Sequence, residues 1–279
     1  MDHVYIGEPN VPGFSRVGNL LRTFFLERGF LEVHTQDRLS ILAACEDPTT
    51  VATFQYMGQC WPLPQTGQMW LEYELLTRPD APGVFCMSTS YRQESNPIPG
   101  RHCLIFPMCE FESRGTIDDL RALEGELLEY LGYGAREKFP RVPYTELMQK
   151  YAVDDISRVE EKRMSEEYGR AAYLEYFPEH TSPFWNMKRT ADGRACKIDV
   201  IIDGMETIGS AERSSDPEAM RDSFYRISGG KYAELLFSLF GRDRVERELE
   251  AFLALPFFPR FGGGIGMTRL ISSLERVVA

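Results

Sequence analysis

Apolar positions along the chain recur with two periods, three to four residues in some segments and two residues in others. In residues 15–28 the longer period predicts a helix, with Ser15 placed to cap its start and Gly29 placed to end it. The same period predicts helical structure at residues 118–131, 146–177 and 216–255, with two helices in the last segment. A short helix is also predicted at the C-terminus, after Gly266.

Alternating and β-branched runs predict strands between these helices. The strands cover residues 30–33, 84–91, 103–112 and 196–203. Since the turn-rich residues 95–102 join the second strand to the third, we expect these two strands to be antiparallel neighbours. Repeats, low-complexity tracts and dividing linkers are absent from the sequence, so the pattern predicts one domain of the α+β class over residues 1–279.

Composition and charge exclude several classes of protein. Hydrophobic residues make up 43% of the 279 residues, which excludes wholesale disorder. The formal net charge of −11 argues against a non-specific grip on DNA, because such a grip depends on lysine and arginine at phosphates. The sequence shows neither a run near the roughly 20 apolar residues that cross a membrane nor a secretory signal. The 6 scattered cysteines fit reduced thiols, so we expect a cytoplasmic protein.

A glycine cluster near the C-terminus fits none of the common nucleotide-binding loops. Too few residues follow Gly266 for a dinucleotide-binding unit, and the sequence lacks the Gly-Lys-Ser/Thr of a P-loop. What remains is a strand, Gly262 to Gly266, on which a flat group such as adenine can lie close to the backbone. Arg269 follows one helical turn later and could stack on a ring or clamp a phosphate. A glycine-rich turn with a surface arginine fits the pattern equally well.

A second group of polar residues flanks the turn at 95–102. Arg92 and Glu94 precede the turn, and Arg101 and His102 end it. An arginine at a strand end, opposite an Arg-His pair, can hold a phosphate from two sides, and Glu94 can accept a hydrogen bond from an amine. The same residues are also compatible with a purely structural role, in which salt bridges stabilise the charged tip of a hairpin.

Together these segments resemble the signature motifs of the class II aminoacyl-tRNA synthetases. Residues 84–112 are similar to motif 2, because they contain YRQE, GRH, a following Phe and CEFE in that order. Residues 258–276 are similar to motif 3, because they contain GGGIGMTR. Residues 15–40 resemble the helix and strand of motif 1. The motifs follow in the family's order and span the chain. The resemblance therefore implies the family's catalytic core, an antiparallel β-sheet flanked by helices, in a homodimer that pairs through motif 1.

Three further segments are similar to the aspartate and asparagine subgroup of that family. They are TGQMWLE at residues 66–72, SPFWNMKRTADGRACKID at residues 182–199 and DVIIDGMETIGSAER at residues 199–213. The departures are the missing motif 1 proline, Ile105 where an acid usually precedes the aromatic residue, and Gly-Ser-Ala at 209–211 in place of Gly-Gly-Ser.

The resemblance implies ATP-binding and catalytic roles for individual residues. Arg92 and Arg269 would be the catalytic arginines, the first at the α-phosphate of ATP and the second at adenine and the γ-phosphate. Asp199 and Glu206 would hold Mg²⁺, and paired carboxylates near phosphates suit that ion. The other implied ATP contacts are Glu94, Arg101, His102, Phe106 (stacked on adenine), Glu206, Gly264 and Gly266.

The resemblance also implies the amino-acid contacts. Glu46 would face the ammonium group of the substrate, and Gln68 would also contact the substrate amine. Arg213 would bind the side-chain oxygen of the aspartate or asparagine. Aspartate-specific relatives place a lysine three residues after the matched glutamine; here that residue is Leu71, and Glu72 follows as in asparagine-type enzymes. Because an acid accepts a hydrogen bond from a carboxamide but repels a carboxylate, we expect the pocket to prefer asparagine or another uncharged amide.

The resemblance therefore implies an AMP-forming ligase that uses ATP and Mg²⁺ to activate an aspartate-type or asparagine-type amino acid as an acyl-adenylate. Conventional members carry an anticodon-binding barrel before motif 1, which here begins near residue 15, so we expect ammonia or another amine rather than tRNA as the acceptor, as in asparagine synthetase-like enzymes. Two alternatives stay open. One is an asparaginyl-tRNA synthetase-like enzyme that charges tRNA or a carrier, and the other is a non-catalytic paralogue that binds an amino acid as a regulator.

Overall fold

A computed structural model describes residues 10–35, 39–42, 48–94, 103–181 and 183–278 of the chain. The strands in these ranges are β1 (Leu31–Glu32), β2 (Thr53–Tyr56), β3 (Gln59–Pro62), β4 (Gly83–Tyr91), β5 (Ile105–Arg114), β6 (Arg141–Pro143), β7 (Ala171–Phe177), β8 (Ala195–Ile202), β9 (Met205–Arg213) and β10 (Arg260–Gly266). The α-helices are α1 (Val11–Glu27), α2 (Gln68–Thr77), α3 (Ile117–Tyr130), α4 (Tyr144–Tyr151), α5 (Arg158–Tyr168), α6 (Pro217–Arg226), α7 (Lys231–Phe240), α8 (Arg242–Leu253) and α9 (Met267–Val278).

Eight strands form one sheet in the order β1-β4-β5-β10-β9-β8-β7-β6. The six central strands pair antiparallel, and the short edge strands β1 and β6 pair parallel with their neighbours. β2 and β3 form a separate hairpin. The expected antiparallel pairing of the segments at 84–91 and 103–112 is confirmed by β4 and β5, and so is the α+β fold with a helix-flanked sheet.

The two faces of the sheet differ in character. On one face, Ile198 and Val200 of β8 pack in the main hydrophobic core with Phe24 of α1 and Leu120 of α3. Since successive side chains of a strand point to opposite faces, Lys197 and Asp199 of β8 lie on the other face. That second face also carries α2, which joins α6, α7 and α8 in a separate hydrophobic cluster.

Several element boundaries differ from the sequence-based prediction. α1 begins before Ser15, because the side chain of Asn10 accepts a hydrogen bond from the backbone N–H of Gly13 (2.9 Å) and a proline occupies the first turn. Residues 171–177 are the strand β7 rather than helix, because they pair with β8. Residues 216–255 form three helices rather than two, separated at Gly230 and Gly241, both of which have positive φ angles.

None of the described helices is both long enough and apolar enough to cross a membrane. The described cysteines, Cys60, Cys86, Cys103, Cys109 and Cys196, form no disulfide among themselves. Cys86, Cys109 and Cys196 are buried.

Candidate active site

The second face of the sheet brings the predicted motif 2, motif 3 and metal-binding segments side by side. In one cross-strand row, Asp199 of β8 lies opposite Gly209 of β9, Gly209 opposite Gly264 of β10, and Gly264 opposite Glu110 of β5. The glycine strand β10 therefore forms the middle of this surface, with acidic residues on both sides.

The glycines of β10 give the neighbouring side chains room. A Cβ at Gly264 would lie 2.7 Å from Cε of Met108 and 3.1 Å from Nε2 of Gln68, so these two side chains already approach the backbone there. At Gly266 the nearest atoms to such a Cβ are the Thr207 carbonyl oxygen at 3.6 Å and Cδ of Arg269 at 4.0 Å. The backbone is thus more accessible to a flat ligand at the Gly266 end of the strand.

A buried ionic network lies beside the other end of β10. Arg213, only 1% exposed, donates to Oε1 of Glu112 from Nη2 (2.5 Å) and Nε (2.9 Å), and its Nη2 also donates to Oε1 of Gln68 (2.5 Å). Burial raises the pKa of Glu112 to about 7, although the positive charge of Arg213 opposes that shift. Gln68 and Arg213, both predicted to contact the substrate amino acid, are therefore hydrogen-bonded to each other.

Glu72, the third predicted contact, is completely buried in the same network. Its Oε1 accepts from Nδ2 of Asn186 (2.6 Å) and lies 3.7 Å from Nε of Arg213. Its Oε2 accepts from Nε (3.0 Å) and Nη2 (2.6 Å) of Arg260. The fourth predicted contact, Glu46, lies outside the described residues.

Several polar atoms of this surface are buried and lack a hydrogen-bond partner among the described residues. They are Oε2 of Glu112, Oδ1 of Asn186, Nε of Arg92 and Oδ1 of Asp199. A buried polar atom without a partner is costly in a folded protein, and a ligand is one of the groups that can satisfy it. The set combines donors and acceptors, which suits a polar, zwitterionic ligand.

The predicted α-phosphate arginine directly follows β4. The backbone N–H of Arg92 donates to the carbonyl of Leu104 (2.8 Å), which holds the end of β4 against the start of β5. The half-buried Arg92 guanidinium carbon lies 5.4 Å from the ring centroid of Phe106. Glu94, two residues further on, is also half-buried. Arg101 and His102 lie outside the described residues.

Arg269 stands in the first turn of α9, where the glycine strand ends. Its Nη1 donates to the backbone carbonyl of Glu206, which ties α9 to the start of β9. This contact places Arg269 and Glu206, predicted separately from motif 3 and from the metal-binding segment, next to each other.

The two predicted metal ligands lie near each other on β8 and β9. Burial raises the pKa of Asp199 to about 7; the Lys197 ammonium opposes this shift and the Glu206 carboxylate adds to it. Oδ2 of Asp199 accepts from Nζ of Lys197 (2.7 Å), and Oδ1 has no partner among the described residues. The described residues contain no group of three or more His, Cys, Asp or Glu placed to hold a metal. Two carboxylates with a free oxygen fit a Mg²⁺ ion whose remaining ligands are phosphate oxygens and water.

Several residues of this surface have no role predicted from the sequence. Glu110 accepts from Oγ1 of Thr66, from the backbone N–H of Gly67 (2.7 Å) and from Oγ of Ser88 (2.5 Å), and its burial raises its pKa. The others without an assigned role are Glu112, Asn186, Lys197 and Arg260. Acids at alternate positions of the predicted strand at residues 103–112 were the available signal for Glu110 and Glu112.

Comparison with known protein families decides the class of the protein. The model of the family "tRNA synthetases class II (D, K and N)" matches residues 10–277. The chain belongs to this family. The resemblance seen in the motifs is therefore confirmed, and the region matched includes all three of them.

Individual relatives lie within the asparagine and aspartate branch. The asparagine–tRNA ligase of Pyrococcus horikoshii is 23% identical over 97% of this chain and 67% of its own length. The aspartate–tRNA(Asp/Asn) ligase of Methanospirillum hungatei is 22% identical over 95% of this chain and 66% of its own length. The chain thus spans about two thirds of the length of these relatives.

Solved structures agree on the fold. The asparaginyl-tRNA synthetase of Pyrococcus horikoshii, complexed with asparaginyl-adenylate, superposes with a TM-score of 0.77 at 21% identity, over 95% of this chain and 66% of that one. The Entamoeba histolytica asparaginyl-tRNA synthetase, also with asparaginyl-adenylate, gives 0.72 at 18% identity, over 95% and 63%.

Proposed function

We propose that this protein activates asparagine with ATP, forming asparaginyl-adenylate and pyrophosphate. Family membership supports adenylate formation. The expected phosphate and metal groups support it too, since Arg92, Arg269, Asp199 and Glu206 are all present. The non-catalytic alternative is less well supported, because a paralogue that only binds amino acids has no need of this set.

One observation carries the choice of asparagine over aspartate. Leu71, where aspartate-specific relatives have a lysine, is completely buried in an apolar cluster with Leu75, Val84 and Cys86. The next residue, Glu72, is the one that reaches the ionic network. Arg213 and Arg260 are already paired with Glu112 and Glu72, so a substrate carboxylate at this place would lack the additional cation it needs. A carboxamide carries no charge and does not need one.

In the proposed reaction, the substrate carboxylate attacks the α-phosphorus of ATP and pyrophosphate leaves. Arg92 stabilises the charge that develops on the α-phosphoryl group, and Phe106 and Arg269 orient the adenine. Asp199 and Glu206 would hold Mg²⁺, which supplies positive charge beside the phosphates. Arg213 and Gln68 orient the amino acid so that its carboxylate points toward Arg92.

The acyl acceptor is the second part of the proposal. The relatives reported above are named as tRNA ligases, which supports a hydroxyl of tRNA or of a carrier as the acceptor, the alternative left open by the sequence. The first expectation from the sequence was ammonia or another amine as the acceptor. No contact among the described residues supports that expectation. We therefore propose an asparaginyl-tRNA synthetase-like transfer.

The test is amino-acid-dependent exchange of pyrophosphate into ATP, measured for each of the twenty amino acids. We expect exchange with asparagine, at most weak exchange with aspartate, and loss of exchange in Arg92→Ala. Exchange with aspartate alone would contradict the choice of asparagine, and the absence of any exchange would contradict adenylate formation. AMP release with tRNA-Asn, tRNA-Asp or ammonia then identifies the acceptor. A new amide formed with ammonia and no aminoacyl-tRNA would contradict tRNA charging.

We also propose that the protein is a homodimer. Exposed apolar side chains occur on both α1 and β1, the elements that resemble motif 1: Val11 is 64% exposed, Phe14 41% and Leu31 48%. Such a surface favours association with an apolar partner. The expected mass by light scattering is that of two chains. Phe14→Ser should shift it toward one chain, whereas Val159→Ser, which removes an exposed apolar side chain of α5, should not.

A further inference from the structure

Two arginines lie side by side beneath the proposed amino-acid pocket. Arg213 of β9 and Arg260 of β10 are direct cross-strand partners, and both are buried. Like charges at such positions repel, and burial makes unpaired charges more costly still. Two acids from elsewhere in the fold, Glu112 of β5 and Glu72 of α2, compensate them.

Arg260 directs its guanidinium into the protein rather than toward a ligand. Both Nε and Nη2 donate to Oε2 of Glu72, and Nη1 donates to the backbone carbonyl of Ser214 (2.9 Å). The ring centroid of Phe257 lies 4.8 Å from the guanidinium carbon. Arg260 can therefore act on a substrate only through Glu72.

The four charged groups balance one another. With both acids ionised, which for Glu112 requires a pH above about 7, Glu112 and Glu72 carry two negative charges, and Arg213 and Arg260 carry two positive charges. Asn186 adds a neutral donor on the other oxygen of Glu72. A ligand side chain that ends at this network therefore meets hydrogen-bonding groups without an excess of either charge.

We propose that Arg260 is a positioning residue that sets substrate specificity: by holding Glu72 in a two-bond ion pair, it keeps the floor of the pocket neutral and so selects a carboxamide over a carboxylate. This inference rests on the proposed function, because it assumes that the amino-acid side chain ends at Arg213 and Gln68. In this inference, the preference for a carboxamide over a carboxylate comes from the charge balance of the whole ionic network rather than from Glu72 alone.

Three variants change the balance in a defined way. Glu72→Gln leaves one excess positive charge, so aspartate should gain relative to asparagine. Arg260→Met leaves one excess negative charge, so aspartate should lose further. The double variant Arg260→Met with Glu72→Gln is neutral again, and Arg260→Lys keeps the charge. Arg114→Met is the matched control, because Arg114 is the other cross-strand neighbour of Arg260 but is exposed.

The measurement is the asparagine-to-aspartate ratio of kcat/KM in pyrophosphate exchange, together with the ratio of Kd values from calorimetry. We expect Glu72→Gln to lower the asparagine-to-aspartate ratio of kcat/KM, and to raise the asparagine-to-aspartate ratio of Kd, each by about tenfold or more. The double variant, Arg260→Lys and the control should stay near the wild-type ratios. If Arg260→Met does not fold, Glu72→Gln and the double variant still decide the question.

Ratios unchanged in Glu72→Gln, or a double variant that behaves like Glu72→Gln, would overturn the role of Arg260. Failure of the proposed function is a different result: the wild-type protein would show no exchange with any amino acid. In that case the ratios of Kd values still test the selection by charge balance, because binding does not require the reaction.

Discussion

Gly262 lies directly across the sheet from Glu112, and the Glu112 carboxylate occupies the space that a side chain at position 262 would need. A Cβ on Gly262 would lie 2.6 Å from Oε2 of Glu112 and closer still to Oε1 and Cδ. The glycine therefore lets an acid lie flat on the strand and reach Arg213. This glycine of the motif 3 strand serves the ionic network rather than direct contact with a nucleotide.

Gly262→Ala should displace Glu112 from Arg213. Because the methyl group overlaps the carboxylate, we expect a loss of about 1–3 kcal/mol in the free energy of unfolding, as for other overpacked sites. Urea denaturation measures the loss. Gly266→Ala on the same strand is the control for stability, since its Cβ would meet only ordinary contacts at 3.6 and 4.0 Å. Equal losses in the two variants would contradict the proposed crowding.

Arg92 and Phe106 should affect different kinetic parameters. Arg92→Lys keeps the charge but changes the planar donor set, so we expect kcat of pyrophosphate exchange to fall by about 10²-fold. Phe106→Leu removes the stacking surface and should raise the KM for ATP by about tenfold, with the KM for asparagine unchanged.

Ile105→Ala is the control for Phe106→Leu, because it changes the exposed neighbour on the same strand. A normal KM for ATP in Phe106→Leu would show that adenine does not stack on Phe106. An Arg92→Lys variant with wild-type kcat would remove the α-phosphate role of that residue.

Much of the fold was predictable because it depends on local sequence. Apolar periodicity located α3, where Thr116 and Asp119 form a capping box, and β-branched runs located β4, β5 and β8. β7 was missed because Ala171–Phe177 follows a charged helical stretch, and its strand conformation depends on pairing with β8. Pairing across a sheet is a tertiary effect that a single sequence segment does not specify.

The candidate site shows the same limit. Motif spacing predicts roles for Arg92, Arg213 and Arg269, but it gave no sign that Glu72 is held by Arg260. That contact joins α2 to β10, residues far apart in sequence, and it depends on how the helix is packed on the sheet. Glu72 was expected to meet a substrate amide directly, whereas both of its oxygens accept hydrogen bonds from Arg260 and Asn186.

The requirement for Mg²⁺ should depend on Asp199 and Glu206. Asp199→Asn and Glu206→Gln each remove one negative charge from the proposed site, so we expect the Mg²⁺ concentration for half-maximal exchange to rise by about tenfold or more. Asp222→Asn, which changes an acid paired with Arg226 on α6, should leave it unchanged. Wild-type Mg²⁺ dependence in both site variants would exclude these two residues as the metal ligands.

Stability should fall as the pH rises through the neutral range, in part because of Glu124 on α3. Burial raises the pKa of this carboxyl from about 4.5 to about 8, and a hydrogen bond from Ser210 (2.7 Å) only partly opposes the shift. Above pH 4.5 the unfolded chain loses the proton while the folded protein keeps it. The folded state therefore loses up to about 1.4 kcal/mol per pH unit from this group, until the pH reaches about 8.

Glu124→Gln removes that ionisation while keeping the size of the side chain. We expect the variant to gain stability relative to wild type as the pH rises from 5 to 9, by about 4 kcal/mol in total, measured by urea denaturation at several pH values. Glu129→Gln is the control, because it lies on the same helix but is exposed, and its difference from wild type should stay small at every pH. A Glu124→Gln difference that does not change with pH would show that Glu124 does not hold its proton in the folded protein, since only a shifted ionisation makes the difference depend on pH.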